Sequence, residues 1–192
     1  MPESKVVNIK VVFQDSFVLK EFYKFIYLWL GENGYISGKT ALSSEKDLEH
    51  SYSEQDRDGV KEYHIWWRCF KQPLNPYFRY KLEINYLGLG IKNTEVIIGE
   101  KKYKAQIGEI TISLIGSLIT EANDSKGAWN KNFILKFIRP WYVKRWYRAK
   151  IEQHEDDLYS EIYQLQRAIK EFLELKQYGS LDNDIFFNKK GF

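Results

Sequence analysis

Strict alternation of apolar and polar residues over several stretches, an amphipathic segment after the first of them, and one long segment of three- and four-residue periodicity near the C-terminus predict an α+β fold. The expected architecture is an antiparallel sheet of five to seven strands with an N-terminal amphipathic helix and a long C-terminal helix. A chain of 192 residues is long enough to bury one core without disulfides or structural metal. Residues 1–178 are read as a single domain, with residues 179–192 as a C-terminal tail.

Val7, Ile9, Val11 and Phe13 alternate with Asn8, Lys10 and Val12, a period of two that marks a strand with one face on the core. Asp15 and Ser16 are both good helix caps, and Val18, Phe22, Phe25, Ile26 and Trp29 recur at helical steps behind them, which predicts a helix over residues 16–30 stopped by Gly31 or Gly34. Residues 39–58 turn to Ser, Glu, Asp and Lys with little apolar spacing, and predict an exposed acidic loop with a helical turn near residues 45–48.

A run of strands follows. Tyr63, Ile65, Trp67 and Cys69 alternate with Glu62, His64, Trp66 and Arg68, and Phe78, Tyr80, Leu82, Ile84 and Tyr86 alternate with Arg79, Lys81, Glu83 and Asn85. Pro73 and Pro76 interrupt the link between them. Residues 95–98 and 102–107 flank Gly99-Glu100-Lys101 as a hairpin, and residues 109–114 read as a strand that can continue to Thr120. Pro140 suits a first helical position, and from there Val143, Tyr147, Ile151, His154, Leu158, Ile162, Leu165, Ile169 and Phe172 keep one stripe apolar. That helix is longer than most sheets are wide, so Leu158, Ile162, Leu165, Ile169 and Phe172 are candidates for a homo-oligomer seam as well as for the core.

Several familiar chemistries lack the residues they need. Gly38-Lys39-Thr40 imitates a phosphate loop, but the glycine required five positions earlier is Asn33, and a helix rather than a strand precedes it. Gly88 and Gly90 open a dinucleotide fingerprint whose third glycine is Asn93, so a β-bulge or a sheet edge is expected there. His154 with Glu152, Asp156, Asp157 and Glu161 offers metal-type ligands on one helix, with no second motif to complete a bundle site; a solvated acidic face with a boundary histidine is the simpler reading. Cys69 is the only cysteine, which excludes an intrachain disulfide and a cysteine-rich zinc site, and strand alternation points it away from His64. No catalytic, metal or cofactor residues are assigned, and a non-enzymatic protein is expected.

Charge is the strongest functional signal. The net charge is +3, yet residues 131–150 hold seven Lys or Arg and no acid, interleaved with Phe133, Phe137, Trp141, Tyr142, Trp146 and Tyr147. A local patch of one sign attracts an anionic partner more than a mild global excess does. Lys136, Arg139, Lys144, Arg145, Arg148 and Lys150 are therefore candidate phosphate contacts, with Trp141 and Trp146 as stacking groups. RNA or a ribonucleoprotein is favoured over a membrane surface. The bland alternative is that the rings belong to the core and the charges face water. The N-terminal MPESKVVNIK lacks a signal-peptide layout and no apolar run is long enough to span a bilayer, so a cytoplasmic protein is expected.

The segments LGLG at residues 87–90, TEVIIGEKKYKAQIGEITISL at 94–114 and HEDDLYSEIYQLQRAIKEFL at 154–173 resemble a group of uncharacterised small archaeal proteins. The resemblance implies a prokaryotic, intracellular setting and transfers no site residue. Strand, helix, several strands and a long helix is also the order of helix-grip folds. That order raises a second functional class, a carrier of an apolar ligand lined by Trp67, Phe78, Tyr80 and Ile112.

Overall fold

The computed structural model describes residues 3–35, 48–75, 77–98, 101–120 and 148–178. Five strands, β1 (Glu3–Phe17), β2 (Glu49–Arg57), β3 (Val60–Lys71), β4 (Phe78–Ile98) and β5 (Lys101–Thr120), form one antiparallel sheet in the order β1-β5-β4-β3-β2. Two helices, α1 (Leu19–Glu32) and α2 (Arg148–Tyr178), lie together on one face of it. The α+β class and its antiparallel sheet are as expected. The first strand pairs along its whole length with the last, from Glu3 against Ile119 to Phe17 against Gln106.

Local boundaries moved for definable reasons. Asp15, Ser16 and Phe17 stay in the ladder opposite Gly108, Ile107 and Gln106, so neither Asp15 nor Ser16 caps α1. The capping acceptor comes from the neighbouring strand instead: Leu19 N–H donates to Gln106 Oε1 at 3.2 Å. At the other end Gly34, with φ of +76°, terminates the helix, and the Tyr35 amide reaches back to the Leu30 carbonyl at 2.9 Å. This turn swings the Tyr35 ring into the core.

The acidic loop expected over residues 39–58 is in its second half a strand. β2 is an edge strand with almost every side chain exposed, so no apolar periodicity announces it. Its signal is the turn: Asp58 and Gly59 have φ of 53° and 79°, the left-handed pair of a two-residue hairpin closed by Arg57 opposite Val60. Polar anchors hold the strand in place. Lys61 Nζ pairs with Glu54 at 2.6 Å, Tyr23 Oη donates to the Glu49 carboxylate, and Trp67 Nε1 donates to Tyr23 Oη at 2.7 Å. The separate strands expected within residues 77–98 and 102–120 are two long ones, with a register shift between Leu89 and Lys92 at Gly90, whose φ is +64°. The bulge expected at this glycine pair is there.

Buried residues form one cluster between the sheet and the helices, including Phe22, Ile26 and Leu30 of α1 and Leu158, Ile162, Leu165 and Ile169 of α2. The proposed oligomer seam is thus largely inside its own chain: those four α2 side chains are 0% exposed, and Phe172 stacks on Phe25 with ring centroids 4.6 Å apart. Phe172 and Phe22 also meet, so the end of α2 lies beside the start of α1. α2 descends onto β1 and β5 at Gly116, where a Cβ would stand 2.1 Å from Ile162 Cδ1 and 2.9 Å from Val7 Cγ1. Over 31 residues α2 spans about 46 Å. The helix start expected at Pro140, residues 99–100 of the β4–β5 connection, the helical turn over residues 45–47 and the tail 179–192 lie outside the described residues.

The close approach at Gly116 gives a stability test. Gly116→Ala overpacks the helix–sheet contact and is expected to cost about 1–3 kcal/mol in urea unfolding. Ile162→Val alone costs about 0.5–1.5 kcal/mol. Together they cost less than the sum, because the shorter side chain makes room; strict additivity would refute the contact.

Candidate functional site

Of the eight residues singled out for anion binding, Lys136, Arg139, Trp141, Lys144, Arg145 and Trp146 lie outside the described residues. Arg148 and Lys150 occupy the exposed first turn of α2, where Arg148 Nε pairs with Glu152 at 2.9 Å, with the two side chains 78% and 59% exposed. So open an i, i+4 pair contributes little stability and leaves the guanidinium accessible to a partner.

The acidic stretch that follows is not a uniformly solvated face. His154 turns inward: its Nδ1 lies 2.7 Å from Tyr80 Oη, and its ring centroid is 4.2 Å from that of Phe78. Burial pushes the Tyr80 phenol up to about 12, with Asp157 and Glu161 adding to the shift, so the hydroxyl keeps its proton in this hydrogen bond. Desolvation lowers the His154 pKa, Asp157 opposes that, and Lys150 reinforces it. Two turns on from His154, Glu161 accepts from Tyr35 Oη at 2.8 Å and pairs with Lys71 Nζ, tying α2 to the end of α1 and to β3. Burial, then the Glu161 charge, raise the Tyr35 pKa far above its ordinary value.

This cluster fastens the helix. Glu161 is committed to Tyr35 and Lys71, and no group of three metal-ligating side chains occurs among the described residues. Cys69 is fully buried and its thiol is pushed up to about 12 by desolvation, while His64 is exposed on the other sheet face. A protonated thiol with no adjacent base is a poor nucleophile. Sequence reasoning missed Tyr35, Lys71 and Glu161 as a set; only the glycine stop before Tyr35 hinted that its ring turns back.

The four residues expected to line an apolar cavity are closed over by the protein's own rings. Trp67 meets Tyr23 at 4.4 Å, Phe78 and Tyr80 meet His154, and Ile112 is 0% exposed. A concavity of about 580 Å³ lies elsewhere, at the start of α1 beside the far ends of β4 and β5, lined by Lys20, Asn93, Thr94, Lys104 and Gln106 among others.

The opposite sheet face carries neither described helix. Lys81 bridges Glu3 at 2.9 Å and Glu83 at 2.7 Å, and Arg68 Nε lies 3.7 Å from Glu83, within ion-pair range but too far for a hydrogen bond. The Arg68 guanidinium sits 4.7 Å from the Trp66 ring centre, and Arg79 sits 6.0 Å from that of Phe70. Two buried donors on this face, Trp66 Nε1 and Arg68 Nε, have no hydrogen-bond acceptor among the described residues.

No protein-family model matches this chain, and no curated protein matches it. Among the described residues, no helix is long and apolar enough to cross a membrane.

The histidine makes a pH prediction. Because the folded protein holds His154 below its ordinary pKa, protonation favours the unfolded chain: this contribution is intact above about pH 6.5 and is lost as pH falls from there through the lowered folded value. Thermal melts from pH 7.5 to 5 should show a fall in melting temperature that His154→Gln flattens. Equal slopes for both proteins would show that His154 does not carry the effect.

Proposed function

We propose that the protein is a non-enzymatic, cytoplasmic binding protein that engages an anionic partner, RNA or a ribonucleoprotein, through the basic-aromatic segment of residues 131–150. The carrying observation is seven cations without one acid, interleaved with aromatic rings, in a chain whose remaining residues sum to a negative charge. Cations neutralise phosphates and release counterions, and rings stack on unpaired bases. Lys136, Arg139, Lys144, Arg145, Arg148 and Lys150 make the phosphate contacts in this reading, and Trp141 and Trp146 stack. The exposure of Arg148 and of Lys150 supports it. So does the commitment of the neighbouring Tyr80, His154 and Glu161 to bonds within the chain, which leaves no free acid–base pair among them.

A helix-grip-like carrier is the second reading, favoured by the strand order β1-β5-β4-β3-β2 with a long helix laid across it. The rings that fill the space beside Trp67, Phe78 and Tyr80 weigh against it. A peripheral membrane-surface or oligomeric scaffold protein is the third.

The first reading is tested by charge reversal. Lys144→Glu/Arg145→Glu/Arg148→Glu is expected to weaken binding to single-stranded RNA by roughly tenfold or more and to flatten its salt dependence. RNA and anionic-vesicle binding that match wild type would remove the segment from the binding surface. Binding to vesicles but not to RNA would favour the membrane alternative.

A further inference from the structure

We propose that the outer edge of β1 pairs antiparallel with the same edge of a second copy of this chain, joining the two sheets into one. The proposal does not depend on the RNA-binding reading. β1 is an end strand, and no backbone–backbone hydrogen bond links it to any described residue outside β5. The other end strand, β2, is polar along its length and carries Glu49, Glu54 and Asp56. β1 is apolar and regular: its register slips once, between Lys5 and Val7, and residues 7–17 then run without a bulge or a proline. Folded proteins otherwise blunt so long and flat an apolar edge, because it is a template for another strand.

Side-chain exposure marks this edge as open. Val12, in the middle of the run, is 58% exposed, while its row neighbours Thr111 on β5 and Leu87 on β4 are half-buried. A side chain inside a sheet is shielded by a strand on each side, whereas Val12 is shielded by β5 alone. Asn8, Lys10 and Gln14, on the same face, are exposed as well.

A second copy is the occupant that the sequence of the edge fits. The unbroken run is centred on Val12, so a two-fold axis there pairs residues 7–17 with themselves from end to end. Val12 meets Val12, and on the helix side Val11 meets Phe13 and Val7 meets Phe17; the exception is Ile9, which falls opposite Asp15. No like charges are opposed. Lys10, which has no ion pair among the described residues, falls opposite Gln14, and Gln14 donates to the Glu109 carboxylate on β5. Each copy thus brings a free cation toward the Gln14–Glu109 couple of the other.

The helix layer adds to the contact. Glu155, held by Ser4, marks the side of α2 that faces β1, whereas His154 and Glu161 face β4 and β3. Tyr159 lies one turn beyond Glu155 on that side and Tyr163 one turn further; they are 45% and 42% exposed, with ring centroids 4.4 Å apart. Ile162 and Val7 meet over Gly116, so the tyrosine pair stands at the Val7 end of the run, which the register sets against the partner's Phe17 end. A contact about 37 Å long and about 15 Å deep comes to about 1,100 Å² over both copies, just above the roughly 1,000 Å² expected of a biological interface.

Sedimentation velocity of the full chain over about 1–100 µM tests the pairing, and wild type is expected to dimerise in that range. Val12→Lys and Val12→Glu each set like charges on the axis, at a site open enough to accept them in the monomer. Each should weaken dimerisation about five- to thirtyfold, and an equimolar mixture of the two should recover it, because opposite charges then meet. Independently, Lys10→Cys mixed with Gln14→Cys should form a disulfide-linked dimer under mild oxidation. Neither should do so alone, since its two cysteines then lie about 14 Å apart, and Cys69 is buried and does not compete. A wild type that stays monomeric at about 100 µM overturns the proposal. So does a dimer that both Val12 variants leave intact, and so does the absence of both the recovery and the mixed cross-link.

Discussion

The pairing of the first strand with the last is the constraint on which the other placements depend. β1 and β5 are separated by about a hundred residues, yet they match from Glu3–Ile119 to Phe17–Gln106. That ladder delivers Gln106 to the start of α1, and it provides the floor on which α2 lies, with Ile162 over the bare backbone of Gly116 and against Val7. Closing so long a loop is entropically costly before any side chain makes contact, which favours a slow, cooperative assembly.

On that floor, the helix layer is fastened by two different means. Apolar burial along α2 sets its depth, since Leu158, Ile162, Leu165 and Ile169 are wholly enclosed. Polar bonds set its rotation and slide: Tyr80 to His154, Tyr35 and Lys71 to Glu161, and Ser4 to Glu155 each join α2 to a different part of the chain. Burial is non-directional, whereas these bonds hold only in one geometry. The acids after Glu152 thereby split into inward fasteners and an outward solvated set.

Both described helices lie on one face of the sheet, and on the other face the side chains are tied to one another. Here the charges are joined laterally by Lys81 and Arg68, and the rings of Trp66 and Phe70 are each met by a guanidinium. On this face Phe70 is 41% exposed beside Arg79, whereas Ser117 is buried.

The sequence by itself determined the α+β class, the core faces of β1, β3 and β4, the glycine bulge and the buried stripe of α2, because each is written in a period of two or of three to four residues. The charge step near residue 150 was equally plain. Tertiary structure alone decided the rest. β2 is polar throughout and exists because β3 pairs with it; α1 begins late because β5 holds Asp15 and Ser16 in the ladder; Tyr35, Lys71 and Glu161 meet only once three elements converge. The outer-face row of Lys10, Asn85 and Trp66 is likewise a product of register. Periodicity reports which side of an element is buried, but only pairing between distant segments determines which side chains become neighbours.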